Sequence, residues 1–402
     1  MDVVVTGVGV ISALGNLESS WWRLLKDESG IEQHQPFADL PSLPLGIIDK
    51  LPTDLETLTR LVVADAIKDA NLEIPISDCG VVIGSSRGCQ ASWEKLAREL
   101  MRGRGEGREE GEEREEGIVL TEKSKLSPHT PHPKLENWLE MLHHQAAIAT
   151  VRQIGSTGIA LAPMAACATG IWALARGFEL IQTGECQRVI AGAVEAPITP
   201  LTLTGFNQMG ALAKTGLYPF DKQREGLVLG EGGAVLVLES AELAKSRGVP
   251  IYGRVLGFGL TCDSHHISAP LSSGTSGILA IKQCLARSQL SPYNINYIHA
   301  HGTGTQLNDR NEARLIQQLF SDGVAVSSTK GATGHTLGGS GAIGAAFCLM
   351  ALKHQILPPC VGLREPDFNL DLVRNPRQCQ VGGVLCLSFG FGGQNAAIAF
   401  GQ

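Results

Sequence analysis

Three side chains stand out for the chemistry they could share: Cys167 in "PMAACATGIW", His301 in "HAHGTGT" and His335 in "KGATGHTLGG". Each stands next to glycine, alanine or threonine, where a chain can turn sharply from strand to helix. A cysteine at such a turn lies near unpaired N–H groups and positive partial charge, which favour thiolate and can hold an oxyanion. A lone cysteine is far more often an inert core residue. Two histidines in glycine turns change that balance, because a Cys-His-His set covers the nucleophilic, acid/base and oxyanion roles of acyl transfer. His299 reads as the structural member of its own pair. Lys330, five residues before His335, reads as a charge that positions the site.

The elements that must hold these residues are visible as short β-branched runs alternating with helical segments. Strands are expected at Val3–Thr6, Gly80–Ile83, Ile159–Pro163, Arg188–Ala191 and Gly233–Leu238, then Ile251–Leu256, Ile295–Ala300, Val324–Ser327 and Val384–Ser388. Helices are expected at Leu55–Ala70, Trp93–Met101, Gly170–Thr183, Ser276–Ser288, Asn311–Phe320 and Ser340–Lys353, spaced as parallel βαβ units require. The class is α/β. "IALAPMAACATGIWALARGFELI" and "VAVSSTKGATGHTLGGSGAIGAAFCLMAL" look like imperfect copies of strand, small-residue turn and apolar helix. An internal duplication follows, with residues 1–245 carrying the nucleophile, 246–402 carrying the two histidines, and the seam near Ala244–Val249. The active site is then expected between the halves, at strand C-terminal ends.

Composition narrows the class further. The 402 residues are 43% hydrophobic and 18% charged, enough for a large core, and the 48 glycines follow no G-x-y period. A net charge of -7 argues against a nucleic-acid surface. Ten cysteines form no C-x-x-C pair and share no metal-ligand spacing with the eleven histidines, so neither a metal nor a bound cofactor is expected, and a reducing cytoplasm is. The N-terminus has no basic leader, and no apolar run reaches the ~18 residues of a membrane span. "GVGVIS" lacks the third glycine of a dinucleotide loop, and Glu231 in "GLVLGEGG" is expected to tie turns together rather than bind metal. Residues 102–117 are four Arg, seven Glu and five Gly, which cannot bury a core and read as a solvated surface insertion.

Five ordered motifs, "ACATG", "YPFDKQREGLVLGEGGAVLVLE", "HAHGTGTQLND", "STKGATGHTLGGSGAIG" and "LSFGFGGQNAAIAF", resemble the signatures of the β-ketoacyl-acyl-carrier-protein synthases of the elongating type. "VVVTGVGVISALG" is similar to the family's N-terminal strand. The resemblance implies the thiolase fold, a five-layered α-β-α-β-α arrangement of two similar halves, usually a homodimer, in fatty-acid or polyketide chain elongation. It implies that Cys167 takes an acyl group from an acyl carrier protein and that His301 and His335 assist decarboxylation of a malonyl thioester. Lys330 would be the active-site lysine, and Thr303 and Thr305 would bind the pantetheine arm. Asp309 and Glu312 would be structural acids. Phe391 would be the gate, its N–H completing an oxyanion hole with that of Cys167.

The paired histidines distinguish the elongating members from relatives with a Cys-His-Asn set. Cys167 weighs against a non-catalytic, chain-length-setting partner of another ketosynthase. Gly210 stands where elongating members carry an arginine that receives the acidic carrier. Docking is therefore expected to be relocated, with Lys214 and the Lys123–Lys125 stretch as replacements.

Overall fold

The computed structural model describes residues 1–105 and 135–402. Most of the Arg/Glu/Gly insertion and the Lys123–Lys125 stretch lie outside the described residues.

One hydrogen-bonded path joins the main strands. From one edge it runs through Ala160–Leu161, Gly80–Gly84, Arg188–Glu195, Gly232–Ser240 and Val3–Ser12, and continues through Gly253–Cys262, Gln394–Gly401, Gly383–Gly390, Tyr297–His299, Ala325–Ser327 and Asp371–Leu372. Outward from Val3–Ser12 the pairings are antiparallel, antiparallel, parallel, parallel. Outward from Gly253–Cys262 they begin with the same sequence. The two central strands meet only over Val3–Val5 and Gly253–Val255, so the path is two sheets hinged at one corner.

This corrects the expectation of parallel βαβ units throughout. The three longest strands, Val3–Ser12, Gly232–Ser240 and Gly253–Cys262, pair only antiparallel, and Gln394–Gly401 was not anticipated as a strand at all. Its sequence, "QNAAIAFG", is rich in alanine and weak in intrinsic β preference. Burial between two neighbours decides it, which is how context overrides strand propensity. The "GVGVIS" segment likewise lies within the first strand, where Gly7 and Gly9 pack against the backbone of Leu55–Asp69, and forms no phosphate loop.

Thr169–Gln182 and Ser340–His354 fill the space between the sheets, each packing on strands of its own half and on the other helix. Every side chain from Ser340 to Leu352 is buried. Such a helix has no polar face, as expected of one covered on all sides. Leu55–Asp69 and Gln145–Ile154 cover the outer face of the first sheet, and Thr275–Arg287 covers that of the second with Gln306–Leu319 beside it. The result is the thiolase arrangement of α-β-α-β-α layers. Two of the outer helices start with side-chain caps: Asp54 accepts from Thr57 N–H at 2.9 Å and Thr305 from Asn308 N–H at 3.3 Å. The two central helices have no side-chain cap, which leaves first-turn N–H groups facing inward. Among the described residues no helix is long and apolar enough to cross a membrane.

The central helices cross at small residues. A Cβ on Gly170 would fall 2.4 Å from Ala342 N, so only glycine permits this approach. That contact brings the turn before Thr169 beside the turn before Ser340, and these are the turns that carry Cys167 and His335.

Candidate active site

Cys167 sits on a tight turn between the short edge strand and the first central helix. Ala166 before it adopts φ +47, a left-handed conformation that costs an alanine free energy and persists only where the surroundings fix it. Thr169 fixes it here: its hydroxyl accepts from Ala165 N–H at 2.9 Å and donates to Ala166 O at 2.6 Å. The Cys167 carbonyl accepts from Ser388 Oγ at 2.8 Å, tying the turn to the second half.

His335 arrives on the loop before the second central helix. Its N–H donates to Val228 O at 2.7 Å, and Nδ1 pairs with Ser340 Oγ at 2.8 Å, which leaves Nε2 for the cavity. His301 follows the strand Tyr297–His299, and its ring meets that of His335 edge-on at 5.3 Å. The Cys167 sulfur and one nitrogen from each of these rings lie within 4.8 Å of one another, all buried. The sequence therefore named three residues that the fold brings together from three different loops.

The other expected residues fall around them. Lys330 is buried, with Nζ 3.4 Å from His301 Nδ1 and donating to His301 O. Glu312 accepts from the N–H groups of His301 and Gly302 at 2.6 and 2.8 Å. Asp309 accepts from Phe220 N–H at 2.8 Å and Gly304 N–H at 3.2 Å, so both acids brace the loop that carries His301. Thr303 and Thr305 line the cavity with their hydroxyls 3.0 Å apart. Phe391 lies at the cavity wall, and its N–H points to the Cys167 sulfur. His299 is buried away from the sulfur, with Nε2 3.0 Å from Thr329 Oγ1. Glu231 binds Ile48 N–H and Thr53, tying loops together.

Electrostatics corrects one expectation. Burial pushes the Cys167 thiol up to about 11, with the Lys330 charge and the Phe391 N–H only partly opposing it. The helix proper begins two residues later, at Thr169. Burial, and then the Lys330 charge, hold both His301 and His335 well below the usual imidazole range, so both rings rest neutral. Burial pulls the Lys330 amine down, with Glu312 pulling it back up. It pushes the Glu312 carboxyl up to about 7. Among the described residues Cys167, His301 and His335 are the one group of donors close enough to hold a metal ion. A protonated Lys330 beside His301 works against a dication there.

Sequence reasoning missed several residues of the site. Ser340 orients His335, and Ser388 holds Cys167 O while lying 3.5 Å from His301 Nδ1. Glu195, fully buried at the end of "RVIAGAVE", accepts from the backbone of Ser86, Arg87 and Gly338 and from the hydroxyls of Ser85 and Ser86. Its signal was present: a lone acid ending an apolar run needs buried donors. Two serines among many offered no such signal. Lys214 lies beside Glu225 at the cavity rim, where its N–H donates to that carboxylate at 2.9 Å.

The cavity at whose floor the three residues meet has a volume of about 320 Å³. Its walls near Cys167 are apolar, formed by Phe206, Leu227, Leu337 and Phe391, while Thr303, Thr305 and Asn308 make another side polar. A thiol, two neutral imidazoles and the Phe391 N–H beneath a cavity of this kind suit acyl transfer and stabilisation of an oxyanion.

The comparisons agree with this geometry. Residues 54–244 match the N-terminal domain of β-ketoacyl synthases and residues 252–364 the C-terminal domain. A 3-oxoacyl-[acyl-carrier-protein] synthase 2 from Synechocystis sp. is 34% identical, across 99% of this chain and 97% of that protein. A protein of the same name from Staphylococcus aureus is 32% identical, with the same coverage. A solved type II polyketide acyl-carrier protein in complex with its ketosynthase, bound to the hexaketide, contains a chain that superposes with a TM-score of 0.88 at 26% identity, covering 100% of this chain and 99% of that one. The chain described here belongs to the β-ketoacyl synthase family.

Proposed function

We propose that the protein is a β-ketoacyl-[acyl-carrier-protein] synthase that lengthens an acyl chain by decarboxylative Claisen condensation. The convergence of Cys167, His301 and His335 within 4.8 Å carries this reading. The names of the relatives support the same activity. Cys167 sulfur attacks the carbonyl carbon of an acyl thioester on a carrier protein, and the thiol proton passes to a neighbouring imidazole. The N–H groups of Cys167 and Phe391 hold the oxyanion, and the pantetheine thiol leaves with a proton. Malonyl thioester then enters past Thr303 and Thr305. The neutral imidazoles donate N–H to its carbonyl oxygen as carbon dioxide departs, and the enolate carbon attacks the acyl-Cys167 carbonyl; the carbon–sulfur bond to Cys167 then breaks, the 3-oxoacyl thioester leaves on its pantetheine, and the Cys167 thiolate takes up a proton.

Lys330 supports this by keeping His301 neutral, and Glu312 and Asp309 by fixing its loop. A non-catalytic role as a chain-length-setting partner fits less well with a complete set of reacting groups. Among the described residues the strand Ala160–Leu161 leaves a sheet edge open beside Met164, which is 61% exposed, and this supports a homodimer paired along that edge. The matching strand orders support a duplicated chain divided near residue 245. Ten unpaired cysteines support a reducing compartment such as the cytoplasm.

The test is intact-mass analysis after incubation with an acyl-carrier-protein thioester, followed by malonyl-carrier protein. An acyl adduct mapping to Cys167, discharged as a 3-oxoacyl product, is expected. Adduct formation elsewhere, or malonyl consumption without any adduct, would overturn the reading.

A further inference from the structure

The loop Ser85–Gly88 has no part in the chemistry above, yet it packs directly behind the cavity wall formed by Phe206 and Leu337. A Cβ on Gly84 would fall 2.3 Å from Thr169 Cγ2, so the loop leaves its strand against the turn that carries the nucleophile. A Cβ on Gly338 would fall 3.0 Å from Ser86 N, so the loop also touches the segment holding Leu337. The Arg87 guanidinium lies over the ring of Phe206, 5.8 Å from its centroid, and Phe206 in turn packs against Phe391 at 6.0 Å. Phe206, Leu337 and Phe391 line the cavity that reaches Cys167.

Arg87 is thus a half-buried cation against an apolar compartment formed by Ile198, Leu203, Phe206, Leu227 and Leu337. Its N–H is fixed by Glu195 at 3.0 Å, but that carboxylate is already filled by backbone and hydroxyl donors. The guanidinium itself has an aromatic partner and no carboxylate or carbonyl partner among the described residues. An alkyl chain on Cys167 that reached past Phe206 would strip water from this cation and return nothing, a costly exchange. A carboxylate at the far end of the chain would replace that water with two parallel charge-assisted hydrogen bonds.

We infer that Arg87 selects the acyl group, and that the preferred donor is a thioester of a short dicarboxylic acid whose free carboxylate meets the guanidinium. This rests on Cys167 being the acyl acceptor. Loading is thioester exchange: the bond from Cys167 sulfur to the acyl carbon forms, the donor carbon–sulfur bond breaks, and the pantetheine thiol takes the proton. The distal carboxylate only binds.

Loading of adipoyl-pantetheine and of heptanoyl-pantetheine, matched in length, tests this by intact mass in the wild type, Arg87→Lys and Arg87→Leu. The wild type should load the adipoyl group with the higher kcat/KM. Arg87→Leu should lose about 30-fold on adipoyl, the usual loss when one partner of a buried charge pair is removed, and should gain on heptanoyl. Arg87→Lys should keep part of the preference. A second measurement needs no variant: adipate, but not heptanoate, should protect wild-type Cys167 from iodoacetamide. A wild type that prefers heptanoyl, or a ratio that Arg87→Leu leaves unchanged, overturns the assignment of Arg87 while Cys167 remains the acceptor. Failure of both thioesters to load overturns the acceptor reading and this one with it.

Discussion

Lys330 Nζ lies 3.4 Å from His301 Nδ1 and donates to the carbonyl oxygen of the same residue. The lysine therefore fixes the backbone of the histidine and places a positive charge beside its ring. Its charge acts with burial to keep the imidazole neutral. In Lys330→Met the His301 pKa should rise, because one of the charges opposing imidazolium is gone. The ring would then protonate at a higher pH, so the acidic limb of malonyl decarboxylation should move upward in pH. A pH–rate profile of wild type and variant measures this; an unmoved limb would leave Lys330 a purely structural role.

Cys167 alkylation should follow its raised pKa. With the thiol at about 11, thiolate is scarce at neutral pH, and the iodoacetamide rate in the free protein should keep climbing beyond pH 9 without a plateau. Cys167→Ser should lower condensation by at least ~10³-fold, as removal of a nucleophile that works as part of a unit does. A plateau near pH 7 would show that the turn activates the thiol far more strongly than burial suppresses it.

Gly390 touches the nucleophile's own backbone: a Cβ there would fall 2.8 Å from Ala165 O and 3.0 Å from Cys167 N. Gly390→Ala must push apart the two N–H groups assigned to the oxyanion. A displacement of this kind costs about 10²-fold in rate. The loss should appear in kcat for both acyl loading and condensation, beyond whatever fall in melting temperature the backbone clash brings.

Carrier docking should depend on Lys214. Of the charged residues lining the cavity, Glu225 and Asp263 are both acidic. Burial pushes the Glu225 carboxyl up, but hydrogen bonds from Thr215 bring it below its ordinary value, with the Lys214 N–H and charge adding to them. Lys214→Glu would put a further negative charge beside Glu225. The KM for acyl-carrier protein should rise several-fold, and turnover of a small acyl-pantetheine should stay the same. Equal responses from the two substrates would place the docking surface elsewhere.

Much of this was legible in the residues themselves. Glycine-flanked "ACATG", "HGTGT" and "TGH" turns announce where a chain leaves a strand with its reactive side chain displayed, because backbone conformation at such turns is a local property. The α/β class and most helices follow from periodicity for the same reason. Tertiary structure decided what depends on neighbours distant in the chain. Gln394–Gly401 is a strand because two others flank it, not because alanine prefers one. Ser340, Ser388 and Glu195 acquire their roles only when loops far apart in sequence meet. The Cys167 thiol shows the difference most plainly: the turn gives it a helix terminus, but its protonation is set by how completely the two halves exclude water, and burial is a property of the assembled molecule.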